Sequence, residues 1–207
     1  YEDLYIVKSI VTSELSEQLA DVLNVKVYNV LTGFKYISEI LNDKSHSKEK
    51  LLLAFEESNG YMAKPFVRDK DAIQIVPLII KYKNLLYANN ITLKDTLDDI
   101  YRTIGHYHSI NLSPVFEGAE GQHKIEEIIN SFRNKTIHQV CGLDVKAIED
   151  YQLGTIENIE SGEKDATYLP NTNLIRLIFD EGFIAIRPSG TEPKIKIYFS
   201  LNVNNIE

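Results

Sequence analysis

The sequence has little cysteine: a single residue, Cys141, occurs among 207 positions. One thiol cannot form a disulfide within the chain, and without a second ligand at metal-binding spacing it favours packing over zinc or redox chemistry. Long apolar runs are also absent, which excludes a helix that crosses a bilayer. The first residues lack the basic and apolar segments of a signal peptide, so we expect a cytoplasmic protein with no membrane partner.

Basic residues are scarce relative to acidic ones, 22 against 30, which gives a formal net charge of −8. Nonspecific binding to nucleic acid requires a surplus of lysine and arginine on one face, so nucleic acid is not an expected partner. A small anion is compatible with this charge, because its site depends on a few local cations and backbone amides. Local clusters therefore carry more information than the total charge.

The composition, 43% hydrophobic and 25% charged, is that of an ordinary soluble protein with room for two domains. As far as about Tyr107, short β-branched runs alternate with segments of helical period, which is typical of βαβ units around a parallel sheet. The uninterrupted apolar run 51–55 predicts a strand buried on both faces. An apolar helix is predicted after residues 68–71, and Thr92 with Asp95 predicts a capping box that opens a final helix.

The stretch 111–122 contains proline and glycine but no sustained period, and it predicts a linker with a domain boundary near Gly121. The resulting domains are 1–121 and 122–207. The second begins with one amphipathic helix and continues as strands separated by turn residues, so we predict a smaller α+β domain with a mainly antiparallel sheet. Alternating side chains over 194–201 predict its last strand.

The segment RPSGTEPK lies between two predicted strands of the second domain and has the composition of an anion site. Arg187 offers a planar fork for phosphate oxygens, Ser189 and Thr191 offer hydroxyl groups, and Lys194 adds a compact positive charge. Gly190 lets backbone N–H groups approach a ligand closely. A hairpin turn with solvated cations is an equally good interpretation, because any turn favours serine, glycine, threonine and proline.

A second cluster follows the predicted buried strand 51–55, at the sheet edge where open α/β sheets bind ligands. Glu56, Glu57 and Ser58 can hydrogen-bond to vicinal sugar hydroxyls, and Lys70, in the segment 68–71, can hold a phosphate or balance a buried carboxylate. A solvated acidic loop is the alternative. A glycosidase or metal site fits poorly, because adjacent glutamates diverge and no histidine stands at ligand spacing. The glycine-rich fingerprints of nucleotide-binding folds are missing too.

These motifs resemble those of a known family, the α-D-phosphohexomutases. The run GFIAIRPSGTEPKIKIYF is similar to the phosphate-binding loop of their last domain, while LTGFKYI and FEESNGY followed by RDKD are similar to parts of their third domain. Order and spacing agree across nearly the whole chain, which is identified as the C-terminal half of a phosphoglucomutase or phosphomannomutase. The resemblance implies a parallel-sheet α/β third domain without its first helix, followed by an α+β fourth domain like the TATA-box-binding protein.

The resemblance also implies an activity. Family members have four domains and interconvert hexose 1- and 6-phosphates through a phosphoserine, a bound Mg²⁺ and a bisphosphorylated sugar, which also serves as activator. Their third domain binds the sugar hydroxyls and their fourth domain binds the phosphate that is not reacting. The substrate-binding residues implied for this chain are Thr32, Glu56, Ser58, Lys70, Arg187, Ser189, Gly190, Thr191 and Lys194.

Two family motifs are missing from the sequence. No segment resembles T-x-S-H-N-P, which carries the phosphoserine, and none resembles D-G-D-x-D-R, which holds Mg²⁺. We therefore expect no catalytic residue and no metal ligand in this chain, and we expect N-terminal domains of the same polypeptide to supply them. The chain alone would then bind a phosphosugar without turnover. The alternative is a noncatalytic sugar-phosphate binding module, and the choice among glucose, mannose and glucosamine stays open.

Overall fold

The structure is a computed structural model that describes residues 3–190 and 192–203. The chain forms two compact units, one ending at Tyr107 and the other beginning at His108. The domain boundary near Gly121 stays a prediction. No helix in the described ranges is long and apolar enough to cross a membrane.

The first unit contains a four-stranded sheet in the order β2-β1-β3-β4. The central strand β1 is parallel to both β2 and β3, and β4 is antiparallel to β3. A parallel sheet with crossover helices is what the alternating pattern predicts. Its elements are β1 Leu4–Ser9, α1 Leu15–Val22, β2 Lys26–Val30, α2 Phe34–Asp43, β3 Lys50–Phe55 and β4 Tyr61–Met62.

The two crossover helices cover opposite faces of this sheet. Phe34 and Ile37 of α2 pack with Tyr5 and Val7 of β1, whereas Ala20 of α1 packs in a separate cluster with Ile6. Successive side chains of a strand point to opposite faces, so the alternation along β1 separates the two clusters. The chain thus crosses from one side of β1 to the other between β2 and β3.

A short 3₁₀ turn, Ala72–Gln74, leads into α3 Ile75–Tyr87, which is followed by α4 Leu93–Ile104. Pro77 lies in the first turn of α3, where a missing N–H costs no helical hydrogen bond. Thr92 and Asp95 form the predicted capping box at the start of α4. No side chain of α3 or α4 is buried, although both helices have apolar stripes.

The second unit has a seven-stranded sheet in the order β10-β9-β8-β11-β12-β13-β5, and every pairing from β8 to β13 is antiparallel. The predicted α+β class is therefore confirmed. The elements are β5 Tyr107–Leu112, α5 Ala119–Arg133, β6 Gln139–Val140, β7 Leu143–Asp144, β8 Ala147–Asp150, β9 Thr155–Asn158, β10 Lys164–Ala166, β11 Ile175–Phe179, β12 Gly182–Pro188 and β13 Ile195–Asn202.

One face of this sheet packs against α5. Ile125 and Ile129 of the helix meet Leu177 and Ile186 of the two central strands, and Ile195 of β13 joins the same cluster. The other apolar residues at alternate positions of β13 pack on this side as well. The alternation predicted for the last strand is thereby confirmed.

The prediction that Cys141 is packed was wrong. Its side chain is exposed in the turn between β6 and β7, where its backbone has a φ of 50° and that of Gly142 a φ of 89°. A cysteine between two two-residue strands has too little structure above it to be covered. The lack of a second cysteine excludes an intrachain disulfide but does not determine burial.

Candidate functional site

The loop between β12 and β13 is held by backbone hydrogen bonds at both ends. Ser189 N–H donates to the carbonyl oxygen of Lys194 at 2.8 Å, just beyond the last paired residues of the hairpin. From outside the hairpin, Phe116 N–H donates to the Pro193 carbonyl at 2.8 Å, and Ile195 N–H donates to the Pro114 carbonyl at 3.1 Å. The loop that carries the predicted phosphate-binding residues is therefore anchored on two sides.

Arg187, near the end of β12, is oriented by a buried tyrosine. Its Nε donates a hydrogen bond to the hydroxyl of Tyr198 at 3.1 Å, and its guanidinium carbon lies 5.8 Å from the centre of the tyrosine ring. Tyr198 is only 2% exposed, so its position is fixed by packing. This bond does not use the two terminal nitrogens of Arg187, which form the edge that binds a phosphate bidentately.

The backbone at position 190 does not require glycine for its conformation or packing. Apart from its chain neighbours, a Cβ atom built on it would meet no atom of residues 3–190 and 192–203 within 4 Å, and its φ lies outside the left-handed region. In an ordinary hairpin turn a glycine would be explained by positive φ or by close packing. An open position beside Ser189 and Arg187 instead suits the approach of a ligand to the backbone.

Lys194 is paired within the loop. Its Nζ lies 2.6 Å from a carboxylate oxygen of Glu192, and this contact holds the pKa of Glu192 below its ordinary value. The positive charge predicted to bind phosphate is thus partly balanced by a carboxylate two residues away. Thr191, the residue before Glu192, lies outside the described residues.

The loop after β3 connects to the turn before α2. Backbone Gly33 N–H donates to Glu56 Oε1 at 2.6 Å, which brings the predicted sugar-binding residues Thr32 and Glu56 together. The loop closes on itself because Glu56 N–H donates to the Gly60 carbonyl at 2.9 Å. Asn59 adopts a φ of 52°, a conformation that asparagine tolerates better than most residues.

Lys70 lies near Phe34, the first residue of α2, in the same unit as Thr32 and Glu56. Its Nζ is 6.0 Å from the centre of the buried Phe34 ring, and a Cβ atom on Gly60 would touch that ring at 3.4 Å. The backbone N–H and the ammonium group of Lys70 contact Asp69 and hold the pKa of Asp69 below its ordinary value. An open groove of about 500 Å³ adjoins Lys70 but not the other three predicted sugar-binding residues; it is lined by Phe34, Lys35, Ser38, Glu39, Asn42, Arg68, Asp69 and Lys70.

Sequence reasoning missed the contribution of the segment after β1. The hydroxyls of Ser9 and Thr12 lie 3.1 and 3.5 Å from Glu57 Oε2, which ties the end of β1 and the turn after it to the loop after β3. Ser9 lies within the strand predicted over 5–11 and Thr12 follows it directly, and these two hydroxyl residues were the available signal. Their partner is 48 residues away in sequence, however, so only the topology of the sheet identifies it.

The described part of the chain offers no metal centre. Within residues 3–190 and 192–203, no group of three or more histidine, cysteine, aspartate or glutamate side chains could hold a metal ion. The glutamates of the loop after β3 are each engaged by neighbouring donors, Glu56 by Gly33 and Glu57 by Ser9. The carboxylates of this loop thus act as hydrogen-bond acceptors within the first unit.

Comparisons with known proteins give the family. Residues 2–104 match the family model described as phosphoglucomutase/phosphomannomutase, alpha/beta/alpha domain III. The chain is 57% identical over 204 residues to a phosphoglucomutase of Staphylococcus saprophyticus, and 46% identical over 202 residues to one of Staphylococcus aureus strain MSSA476. Both alignments include 98% of this chain, which spans 37% and 36% of the lengths of these relatives.

The fold has a solved counterpart in the open form of pp63/parafusin, a phosphoglucomutase from Paramecium. The TM-score is 0.62 at 20% sequence identity, covering 94% of this chain and 32% of the Paramecium chain. This likeness supports the fold, a mixed parallel sheet followed by a mainly antiparallel one. Because the fold agrees, residues 2–104 match domain III and long alignments run to named phosphoglucomutases, the chain belongs to the phosphoglucomutase/phosphomannomutase family.

Proposed function

We propose that this chain is the C-terminal portion of a phosphohexomutase that interconverts hexose 1-phosphate and hexose 6-phosphate. The parent would act through a phosphoserine and a bisphosphorylated sugar, with this chain binding the substrate. Family membership supports the reaction class. The relatives' names support glucose phosphates as the first substrates to test.

The observation that carries the proposal is the unexplained glycine in the β12–β13 loop. Among the described residues beyond its chain neighbours, no atom occupies the space where a side chain of residue 190 would be, and the φ of Gly190 is outside the left-handed region that favours glycine. Folding therefore gives no reason for glycine there, whereas close approach of a phosphate to the backbone does. The oriented guanidinium of Arg187 beside it supplies the charge that such a ligand needs.

The two units divide the ligand between them in this proposal. The first unit binds sugar hydroxyls and the second binds the phosphate that is not reacting. Hydroxyl recognition would use Thr32, Glu56, Ser58 and Lys70. Phosphate recognition would use Arg187, Ser189, Gly190, Thr191 and Lys194.

The chemistry of the reaction would come from outside this chain. The described residues do not form a magnesium site, so we derive no metal-assisted step from them. We propose that the Mg²⁺ ligands and the phosphoserine belong to the remaining domains of the parent polypeptide, with a hexose bisphosphate as activator. The role of this chain is then to hold the phosphosugar in a defined orientation.

The phosphate-binding half of the proposal is tested by titrating the chain with inorganic phosphate and following backbone amides by NMR. Amides of Ser189 and Gly190 should shift, and Arg187→Ala should weaken binding by roughly ten- to a hundredfold because a charge-assisted hydrogen bond contributes roughly 1.5–3 kcal/mol. Arg102→Ala, which removes an exposed arginine from α4, is the matched control. Equal affinities for the two variants would refute the assignment.

The claim that this chain does not turn over substrate has its own test. A coupled assay with glucose 1-phosphate, magnesium and glucose bisphosphate should show no conversion by the chain alone. Detectable turnover would overturn the claim. The alternative, a free-standing noncatalytic module, is separated by the coding sequence upstream of Tyr1, since a mutase requires a serine loop and an aspartate loop there.

A further inference from the structure

The sheet of the first unit has a topological switch point between β1 and β3. Strand β1 has parallel neighbours on both sides, and the helices after β1 and β2 cover opposite faces. Crevices at such points, beyond the carboxyl ends of the strands, are where open α/β sheets bind ligands. At this switch point the turn Ser9–Thr12 lies at the carboxyl end of β1, and the loop residues 56–58 follow β3.

The turn after β1 is rigid. Thr12 N–H donates to the Ser9 carbonyl at 3.0 Å, and the two hydroxyl oxygens lie 2.9 Å apart. Beneath it, the buried ammonium group of Lys8 donates to the Thr12 carbonyl at 3.1 Å and pairs with Glu17 at 2.7 Å. Ser9 is 0% exposed and Thr12 is 6% exposed, so neither hydroxyl is free to rotate toward bulk water.

Both hydroxyls are directed at one carboxylate oxygen. Ser9 Oγ lies 3.1 Å and Thr12 Oγ1 3.5 Å from Glu57 Oε2. Each hydroxyl has a single proton, so the two cannot both donate to Glu57 while also bonding to each other. The two shorter contacts indicate that the Thr12 hydroxyl donates to Ser9 Oγ and that the Ser9 hydroxyl in turn donates to Glu57 Oε2.

The two adjacent glutamates hold the loop from different sides. Glu56 accepts a hydrogen bond from Gly33 in the turn before α2, and Glu57 accepts one from Ser9 at the end of β1. Ser58, the next residue, is exposed. The loop thus presents its serine to solvent while both preceding carboxylates are engaged by the sheet end.

We propose that Ser9 and Thr12 are positioning residues that act through Glu57 to fix Ser58 and Glu56 for sugar hydroxyls. Glu57 is then a structural acceptor and does not contact the ligand. The inference rests on the proposed function, because it concerns the orientation of the sugar-binding loop. It adds two residues that precede the recognised loop motif by more than 40 positions.

The experiment compares binding of glucose 6-phosphate with binding of inorganic phosphate by the whole chain. Ser9→Ala removes the donor to Glu57 and should weaken glucose 6-phosphate binding by about tenfold, with phosphate binding changed by less than about twofold. Thr12→Val removes the second hydroxyl at constant shape and should act in the same direction, whereas Thr12→Ser should retain wild-type affinity. Thr103→Val on the exposed face of α4 is the matched control.

The ratio of the affinities for glucose 6-phosphate and for inorganic phosphate distinguishes failure of the sugar-binding proposal from failure of the positioning role. A wild-type chain that binds glucose 6-phosphate no better than phosphate would overturn the proposed sugar-binding function. A wild-type chain that prefers glucose 6-phosphate, and keeps that preference in Ser9→Ala and Thr12→Val, would overturn the positioning role alone. If Ser9→Ala does not fold, Glu57→Ala at the half-buried acceptor takes its place, because it removes the oxygen that Ser9 donates to; the same loss of preference is expected, and an unchanged preference would contradict the role.

Discussion

Tyr198 and Arg187 are diagonal neighbours on adjacent strands, and the tyrosine hydroxyl accepts a hydrogen bond from the arginine Nε at 3.1 Å. Tyr198 is paired with Ala185, two residues before Arg187 on the same face of β12. Diagonal pairs of this kind are within reach of aromatic and long side chains. The buried ring therefore sets the direction in which the guanidinium leaves the sheet.

Tyr198→Phe should weaken phosphate binding several-fold, because it removes the acceptor of Arg187 Nε. The free guanidinium then samples more conformations, and ordering it on the ligand costs more entropy. The free energy of unfolding should fall by about 1 kcal/mol, the net contribution of one hydrogen bond. Phosphate titration and thermal unfolding measure the two effects. Tyr87→Phe, at an exposed position of α3, serves as control, and unchanged phosphate affinity in Tyr198→Phe would contradict the positioning of Arg187.

Gly190→Ala should leave the free energy of unfolding within about 0.5 kcal/mol of wild type, since the added methyl group meets no atom of the described residues beyond its chain neighbours. Phosphate affinity should nevertheless fall, because the methyl group occupies space that the ligand needs. Gly182→Ala gives the opposite pattern for comparison. Its φ is +143° and its Cβ would lie 2.0 Å from the Ser200 carbonyl oxygen, so it should destabilise the fold by more than about 2 kcal/mol.

Those two glycine variants are best measured together by chemical denaturation and phosphate titration. Loss of stability in Gly190→Ala comparable to that in Gly182→Ala would show that the glycine serves the turn. The ligand-based explanation of Gly190 would then be wrong.

Glu192→Gln should strengthen phosphate binding at low ionic strength. The carboxylate of Glu192 lies 2.6 Å from Lys194 Nζ and would repel an incoming phosphate, so its neutral analogue frees the lysine and removes the repulsion. An increase of about two- to fivefold is expected, and it should shrink at high salt because the pair is partly exposed. Weaker binding by Glu192→Gln would mean that the carboxylate orients Lys194 for the ligand.

Glu49 makes the first unit sensitive to acid. Lys26 and then Lys44 lower the pKa of its carboxyl group from 4.5 to about 2, with a further hydrogen bond from Tyr28. A depressed pKa in the folded state contributes stability that is complete above the unfolded pKa and is lost as the pH falls from about 4.5 to about 2. The carboxyl carbon of Glu49 should titrate near the lower value by NMR.

Thermal unfolding between pH 2 and pH 7 provides the matching measurement on stability, with the pH limits spanning roughly both pKa values. Glu49→Gln should lessen the decline at the acid end. An identical decline in this variant would assign the acid sensitivity to other carboxylates.

Local sequence patterns predicted the helices and strands of this structure well. They could not predict the contacts between segments that are distant in sequence. The Thr92–Asp95 pair formed its capping box, and the apolar run 51–55 became β3. The predicted burial of that strand on both faces was wrong, because Leu52 is 47% exposed and only Ala54 is buried. The side-chain alternation of β13 also held, because strand period and helix capping are decided within a few residues. Helix α3 formed as predicted, yet its apolar stripe is not buried, since burial depends on what a helix packs against.

The candidate site was predicted in part. Arg187 and Lys194 could be recognised from residue type, but the acceptor of Arg187 and the Glu192 partner of Lys194 required the register of the hairpin and the conformation of its loop. The hydrogen bond from Gly33 N–H to Glu56 joins segments 23 residues apart, and the local sequence of neither segment predicts the contact. Residue chemistry predicted candidate binding groups, whose binding stays a prediction, and topology decided which of these groups meet.

Cys141, which was predicted to be packed and is exposed, is available for chemical labelling. It is the only cysteine in the sequence, and its side chain projects from the small β6–β7 turn. A maleimide dye or spin label would therefore attach to the wild-type chain at one defined position in the second unit. Ligand-dependent changes in that unit could be followed spectroscopically without any engineered substitution.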